Sequence, residues 1–203
     1  FAQNLTCSYA GYRRARNRFT PHFEKTLALW QKNLNCSTDE LYAIQRQRLD
    51  ALIDHARKNV PQFRNLPAPS TARDPRQAIA ETLANIPILE KSDIARYGNA
   101  LHATNFPKNK MIRSKTSGTT GTALAFYYTP EALAEEYACV WRQRHQAGVQ
   151  RGDWHFSFGG QLLVPFSQTK PPFWRTNYYG KQTLFSLYHM TPENLVHYGD
   201  ALH

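Results

Sequence analysis

Ser114-Lys115-Thr116-Ser117-Gly118-Thr119-Thr120-Gly121-Thr122 is the stretch on which the reading of this chain turns. It sets six hydroxyl side chains and two glycines within nine residues. Segments of extended type flank it, Lys110 to Thr116 on one side and Ala123 to Thr129 on the other, so the pattern is strand, turn, strand. Without a Cβ, Gly118 and Gly121 allow the backbone to turn tightly and to aim successive N–H groups at one point. The hydroxyls donate to an anion's oxygens without adding negative charge, and Lys115 offers a point charge. A Walker loop would need a Gly-Lys-Ser/Thr end opening a helix, whereas Gly121 is followed by Thr122, Ala123 and a strand. Ser, Thr and Gly also gather in ordinary hairpin turns, so the residues alone leave both readings open.

Upstream the chain reads as helical. The opening dozen residues show no clear period. Thr20-Pro21 is a capping hydroxyl followed by proline at the first helical position, with Phe23, Leu27, Trp30 and Leu34 on one stripe. A stronger helix is expected from about Thr38 to Asn59, with Leu41, Ile44, Leu52, Ile53 and Ala56 on its buried face. A proline-bearing connection follows, a short helix opens at Asp74-Pro75, and Ser92 is expected to cap a turn over Asp93 to Tyr97. Downstream, Thr129-Pro130-Glu131 starts a helix that runs to Gly148 and is expected to cover a sheet. Trp154 to Phe158, Gln161 to Val164 and Thr183 to Tyr188 read as strands, and Thr191-Pro192-Glu193 starts a last helix. The expectation is an α/β fold: a mainly helical region over 1–106, then an α/β portion over 107–203 with a partly parallel sheet.

The 203 residues are 41% hydrophobic and 13% aromatic, enough for a packed core. No run of about 18 apolar residues occurs, which excludes a membrane-spanning helix. The first thirty residues are broken by Arg13, Arg14, Arg16, Arg18 and Glu24, so no secretory leader is read and a cytoplasmic location is expected. Cys7, Cys36 and Cys139 are odd in number and widely spaced, which suits neither a disulfide framework nor a zinc site, and no metal-binding cluster is expected. Lys and Arg total 25 against 15 Asp and Glu, a net charge of +10 that attracts polyanions without choosing among ATP, CoA, RNA and acidic lipid. No helix-turn-helix, RRM or finger pattern supports a nucleic-acid reading.

Thr116-Ser117-Gly118-Thr119-Thr120-Gly121, followed by a strand ending Phe126-Tyr127-Tyr128-Thr129, resembles the phosphate loop of adenylate-forming ligases. Leu52 to Pro61, Ile86 to Ile94 and Gly148 to Asp153 are similar to phenylacetate-CoA ligase-like proteins. Pro172 to Asn177 and Leu184 to Leu195 resemble the CapK-like branch of that family, which is linked to capsule polysaccharide biosynthesis. The resemblance runs from about residue 40 to the end.

It implies the large adenylate-forming domain, with a mixed sheet and flanking helices, and an ATP- and Mg²⁺-dependent reaction. There a carboxylate and ATP give acyl-AMP and pyrophosphate, and the acyl group then passes to a thiol such as CoA. Thr116, Ser117, Gly118, Thr119, Thr120 and Gly121 are the implied phosphate-binding residues, with Ser117, Thr119 and Thr120 as direct contacts. Phe158, Gly159 and Gly160 stand where relatives build the wall of the substrate pocket. The partners implied are a small carboxylate or a carbohydrate-linked substrate and the remaining, carboxy-terminal half of the same protein. The family's adenine motif, ribose-binding aspartate and catalytic lysine would all lie beyond His203, so inactivity of this chain by itself is expected. The family's Pro-Lys pair after the loop is here Thr122-Ala123.

Two other readings share these residues: an adenylyl- or acyl-transferring enzyme of cell-surface polysaccharide synthesis, and a non-catalytic nucleotide- or partner-binding module. His155 and His189 read first as packed residues rather than as catalysts. Trp141, Trp154, Trp174, Tyr178 and Tyr179 read first as core.

Overall fold

The structure, a computed structural model, describes residues 2–116 and 124–202. Its helices are α1 (Ala2–Arg18), α2 (Pro21–Lys32), α3 (Thr38–Asn59), α4 (Pro75–Ala84), α5 (Lys91–Tyr97), α6 (Pro130–Gln146) and α7 (Leu195–Leu202). Its strands are β1 (Ile112–Lys115), β2 (Ala125–Tyr128), β3 (His155–Gly159), β4 (Trp174–Asn177) and β5 (Gln182–Ser186). The class is mixed α/β with small sheets, as expected. The chain divides into two compact units, one formed by residues 1–24 and 134–203 and the other by 25–133. We call these the sheet unit and the hairpin unit. Their boundaries fall within α2 and α6, and the hairpin formed by β1 and β2 stays with the helices that precede it.

In the hairpin unit, α3 begins where the sequence places it. Ser37 Oγ accepts from the Glu40 N–H and Glu40 Oε2 accepts from the Ser37 N–H at 2.6 Å, a reciprocal cap that satisfies two of the helix's free donors. The proline-bearing connection is tied down by Arg46, which donates to the Ala72 and Ser70 carbonyls at 2.6 and 3.2 Å. Helix α5 starts at Lys91, earlier than Ser92 suggests. Glu90 is its cap, and Asp93 Oδ2 accepts from the Glu90 N–H at 3.0 Å, so a carboxylate does the work expected of the serine. β1 and β2 pair antiparallel, Ile112 opposite Tyr128 and Lys115 opposite Ala125.

In the sheet unit the strand order is β3-β5-β4, with β3 parallel and β4 antiparallel to β5. One face carries the core: Phe173, Phe185 and Tyr198 are 0 to 2% exposed, with Trp174, Met190 and Ala201 against them. Burying an aromatic of this size contributes about 2 kcal/mol. Tyr198 donates to the Ser186 carbonyl at 2.7 Å, so its buried hydroxyl is satisfied. His189 lies stacked on Phe173 and bonded to Ser186 Oγ and the Pro165 carbonyl, a packed residue as the sequence reading holds.

Three differences from expectation stand out, two of them caused by burial through polar groups. The opening residues are helical: α1 packs against β4, but only Ala15 of it is buried, so no apolar stripe advertises it. It covers the free edge of β4 instead. Asn4 Oδ1 accepts from the Thr176 N–H at 3.1 Å and Ser8 Oγ from the Tyr178 N–H at 2.9 Å. β4 itself inverts the usual alternation, since its buried residues are Arg175 and Asn177. Residues Gln161 to Val164 form no strand; Val164 is buried, but Pro165 lacks the N–H that would continue a ladder.

Gly11 of α1 lies directly over Asn177. A Cβ at residue 11 would fall well inside contact distance of that side chain, which is itself held by the Gly180 N–H at 3.0 Å. Gly11→Ala is expected to destabilise the protein by about 1 to 3 kcal/mol through overpacking, read as a lower urea midpoint. An unchanged midpoint would show that α1 does not depend on this approach.

Candidate functional site

Two places carry chemistry. The first is the hydroxyl-rich turn between β1 and β2. Ser117, Gly118, Thr119, Thr120 and Gly121 lie outside the described residues; Thr116 is described and forms the neck of the turn. Its N–H donates to the Leu124 carbonyl at 3.0 Å, and its Oγ1 accepts from the Leu124 N–H at 3.0 Å. These two bonds hold both ends of the turn together in register with the hairpin. Accepting leaves the Thr116 hydroxyl proton free to donate in turn. Lys115, one residue earlier, is exposed. Replacing Thr116 by Val keeps the shape and removes the acceptor. Thr116→Val is expected to loosen the neck by about 1 kcal/mol, speeding amide exchange at Leu124 by about fivefold, while Thr116→Ser keeps the protection.

Behind the hairpin, His102 meets the Tyr127 ring edge-on at 5.0 Å, and its Nδ1 is buried with no hydrogen-bond partner among the described residues. Burial first, and then the nearby Lys108 ammonium, holds this imidazole below its ordinary value of 6.5. A lowered folded value favours the neutral ring. Its contribution is therefore present in full above pH 6.5 and is lost as pH falls through the lowered folded value. The protein is expected to unfold at lower denaturant at pH ~5 than at pH ~7.5, with His102→Phe shrinking the difference.

The second place is a cleft of about 420 Å³ lying wholly within the sheet unit. Strand alternation builds its floor: His155, Ser157 and Gly159 of β3 and Gln182 and Leu184 of β5 line it, while Phe156 and Phe158 turn to the core face. Gln182 Nε2 donates to Ser157 Oγ at 2.7 Å, fixing both polar side chains. The walls are cationic: Arg14, Arg18, Arg144, Arg151 and Lys181 line the cleft and, among the described residues, no carboxylate does. Arg18 sits 4.0 Å above the Tyr137 ring, Arg144 4.8 Å above Trp141 and Arg151 5.1 Å above Phe19. Arg151 also pairs with Glu24. Burial, more than the repulsion of Arg14, pulls the Arg18 guanidinium below the ordinary arginine range. Lys181 has a φ of +45°, a left-handed conformation that costs a non-glycine residue about 1 kcal/mol or more. Its carbonyl is fixed there by the His155 N–H at 2.9 Å.

Among proteins of known name, this chain is 29% identical over 196 residues to Protein CapK of Staphylococcus aureus, covering 97% of the chain and 42% of that protein. It is 32% identical over 132 residues to phenylacetate-coenzyme A ligase of Aromatoleum evansii, and 32% over 131 residues to that of Pseudomonas putida. Each of these covers 63% of the chain and 29% of the ligase. These likenesses support a CapK and phenylacetate-CoA ligase-like family for the chain. It spans less than half the length of these relatives. No family model and no solved structure matches it.

The structure separates the residues singled out from sequence. Gly159 lines the cleft. Phe158 faces the other side of the sheet, stacked at 4.9 Å on Phe185, and the Gly160 carbonyl accepts from the Tyr188 hydroxyl at 3.0 Å. His155, Trp141 and Tyr179 also reach the cleft, whereas Trp154 donates to Thr183 Oγ1 at 3.3 Å. The cationic wall escaped sequence reasoning, because its members come from four separate segments. The one local signal was Arg14 and Arg18, four residues apart on α1 and so on one helix face. No helix among the described residues is long and apolar enough to cross a membrane, and none of their His, Cys, Asp and Glu side chains form a metal-holding group of three or more.

Proposed function

We propose that this chain is the amino-terminal part of an ATP-dependent adenylate-forming ligase, inactive by itself, in which the turn after β1 holds the phosphates of ATP. The observation that carries the reading is the clasped neck at Thr116 and Leu124 beneath a turn of hydroxyls and glycines, in a chain similar to CapK and to phenylacetate-CoA ligases. On this reading residues 107–203 are a portion of the AMP-binding domain and 1–106 its helical lead-in, together one incomplete large domain.

ATP with Mg²⁺ would supply the adenylyl group: a carboxylate oxygen would bond to the α-phosphorus as the bond to pyrophosphate breaks, and a thiol such as that of CoA would then take the acyl group as the acyl–phosphate bond breaks and AMP leaves. The chain's own part is to bind and orient. Ser117, Thr119 and Thr120 donate to phosphate oxygens, Gly118 and Gly121 bring backbone N–H groups near, Lys115 adds a charge, and Thr116 positions the turn through its neck. Negative charge grows on the departing oxygens, and fixed donors aimed there lower the barrier without adding charge of their own. The donor set fits a triphosphate. It offers no carboxylates, so Mg²⁺ would arrive on the nucleotide rather than at a protein site. Gly159, bare of a side chain in the cleft floor, would form part of the wall for the acyl substrate.

In the longest polypeptide that carries this chain, Mg-ATP is expected to bind by isothermal titration and to support carboxylate-dependent exchange of pyrophosphate into ATP. Changing Ser117, Thr119 and Thr120 together to Ala should weaken binding by about a thousandfold, as loss of three charge-assisted bonds of about 1.5 kcal/mol each predicts. Binding that survives the triple change would sink the assignment of this turn. A protein that does not bind ATP at all would leave a partner-binding module as the better reading.

A further inference from the structure

We infer that the cleft of the sheet unit binds a compact polyanion, a phosphorylated or polycarboxylate small molecule, held chiefly by Arg14 of α1 and Lys181 of the turn between β4 and β5. Three observations carry this.

The first is convergence. Charged residues on a solvated helix face point away from one another and alternate in sign, whereas here Arg14, Arg18, Arg144, Arg151 and Lys181 surround one concavity of about 420 Å³ with no carboxylate among the described lining residues. That volume suits a small ligand. The second is preparation. Arg18, Arg144 and Arg151 are laid on the faces of Tyr137, Trp141 and Phe19, so much of the freedom a ligand would have to remove is already gone. Among the described residues, no salt bridge engages Arg14 or Lys181. The third is strain. Lys181 keeps a φ of +45° at the cleft rim, where glycine or asparagine would sit more easily. An unfavourable backbone held by a cation beside four others is what an anion site would retain.

The inference needs nothing from the hydroxyl-rich turn, which belongs to the hairpin unit. One clause of it rests on the ligase reading: if Gly159 walls the substrate, the polyanion is that substrate's head group.

The test titrates inorganic pyrophosphate and citrate, without Mg²⁺, into the same protein, following heat and tryptophan fluorescence. At least one is expected to bind with one-to-one stoichiometry, in preference to chloride at equal ionic strength, and the tighter of the two assigns the head group as phosphate or carboxylate. Arg14→Gln should weaken it about tenfold. Lys181→Gly should weaken it similarly while raising Tm, because glycine relieves the backbone. The triple Ala change in the turn should leave it unaltered. Failure of both anions to bind, affinity unchanged by both cleft variants, or loss of binding in the turn variant would each overturn the inference. A protein that binds pyrophosphate in the cleft-dependent way but never binds Mg-ATP would retain the inference and remove the ligase reading.

Discussion

The sheet unit depends on one buried polar joint, Asn177. Its side chain is 6% exposed at residue level, accepts from the Gly180 N–H at 3.0 Å, and lies between two glycines, Gly11 and Gly180, that have no Cβ to displace it. A buried amide is stable only where its groups are paired, so the turn after β4 and the approach of α1 are specified together. The same approach lets Asn4 and Ser8 take up the free N–H groups of β4. Everything on that side of the sheet follows from it: α1 sets Arg14 and Arg18 at the cleft, and the turn sets Lys181 opposite. The other side is an ordinary aromatic core of Phe173, Phe185 and Tyr198.

Charge is handled in the same economical manner. A chain with a net charge of +10 must keep its cations solvated, paired or set against polarisable surface. Many here are set against rings: Arg48 over Trp30 at 5.3 Å and Arg76 over Tyr42 at 4.5 Å in the hairpin unit, and the three cleft arginines in the sheet unit. A ring face orients a guanidinium without neutralising it. Of the three, Arg151 is also paired with Glu24, and the cleft's positive potential rests on the others together with Arg14 and Lys181.

The two proposals assign a different anion chemistry to each unit. On the proposed function, the hydroxyl-rich segment above the Thr116–Leu124 neck would supply neutral donors, suited to an anion that brings its own cation. The cleft of the sheet unit offers fixed positive charge and, among its described lining residues, no carboxylate, suited to an anion that arrives bare. Likeness to CapK runs through 97% of the chain, so it spans both units.

Elements whose ends are written in local chemistry were legible from the residues: α3 with its Ser37 and Glu40 cap, α4 behind Asp74-Pro75, α6 behind Thr129-Pro130, and the β1–β2 hairpin around its glycines. The family, too, was legible, because motifs such as Thr116 to Gly121 are contiguous. What sequence could not announce was α1 and β4, whose buried contacts run through Asn4, Ser8, Gly11, Arg175 and Asn177 rather than through an apolar period. Nor could it announce the cleft, whose cations come from residues 14, 18, 144, 151 and 181. Propensity, capping and hydrophobic period act over a few neighbouring residues, and so the sequence by itself determined which segments coil or extend. Which charges share a concavity is set by how those segments pack, over separations of more than a hundred residues, and only the tertiary structure decided that.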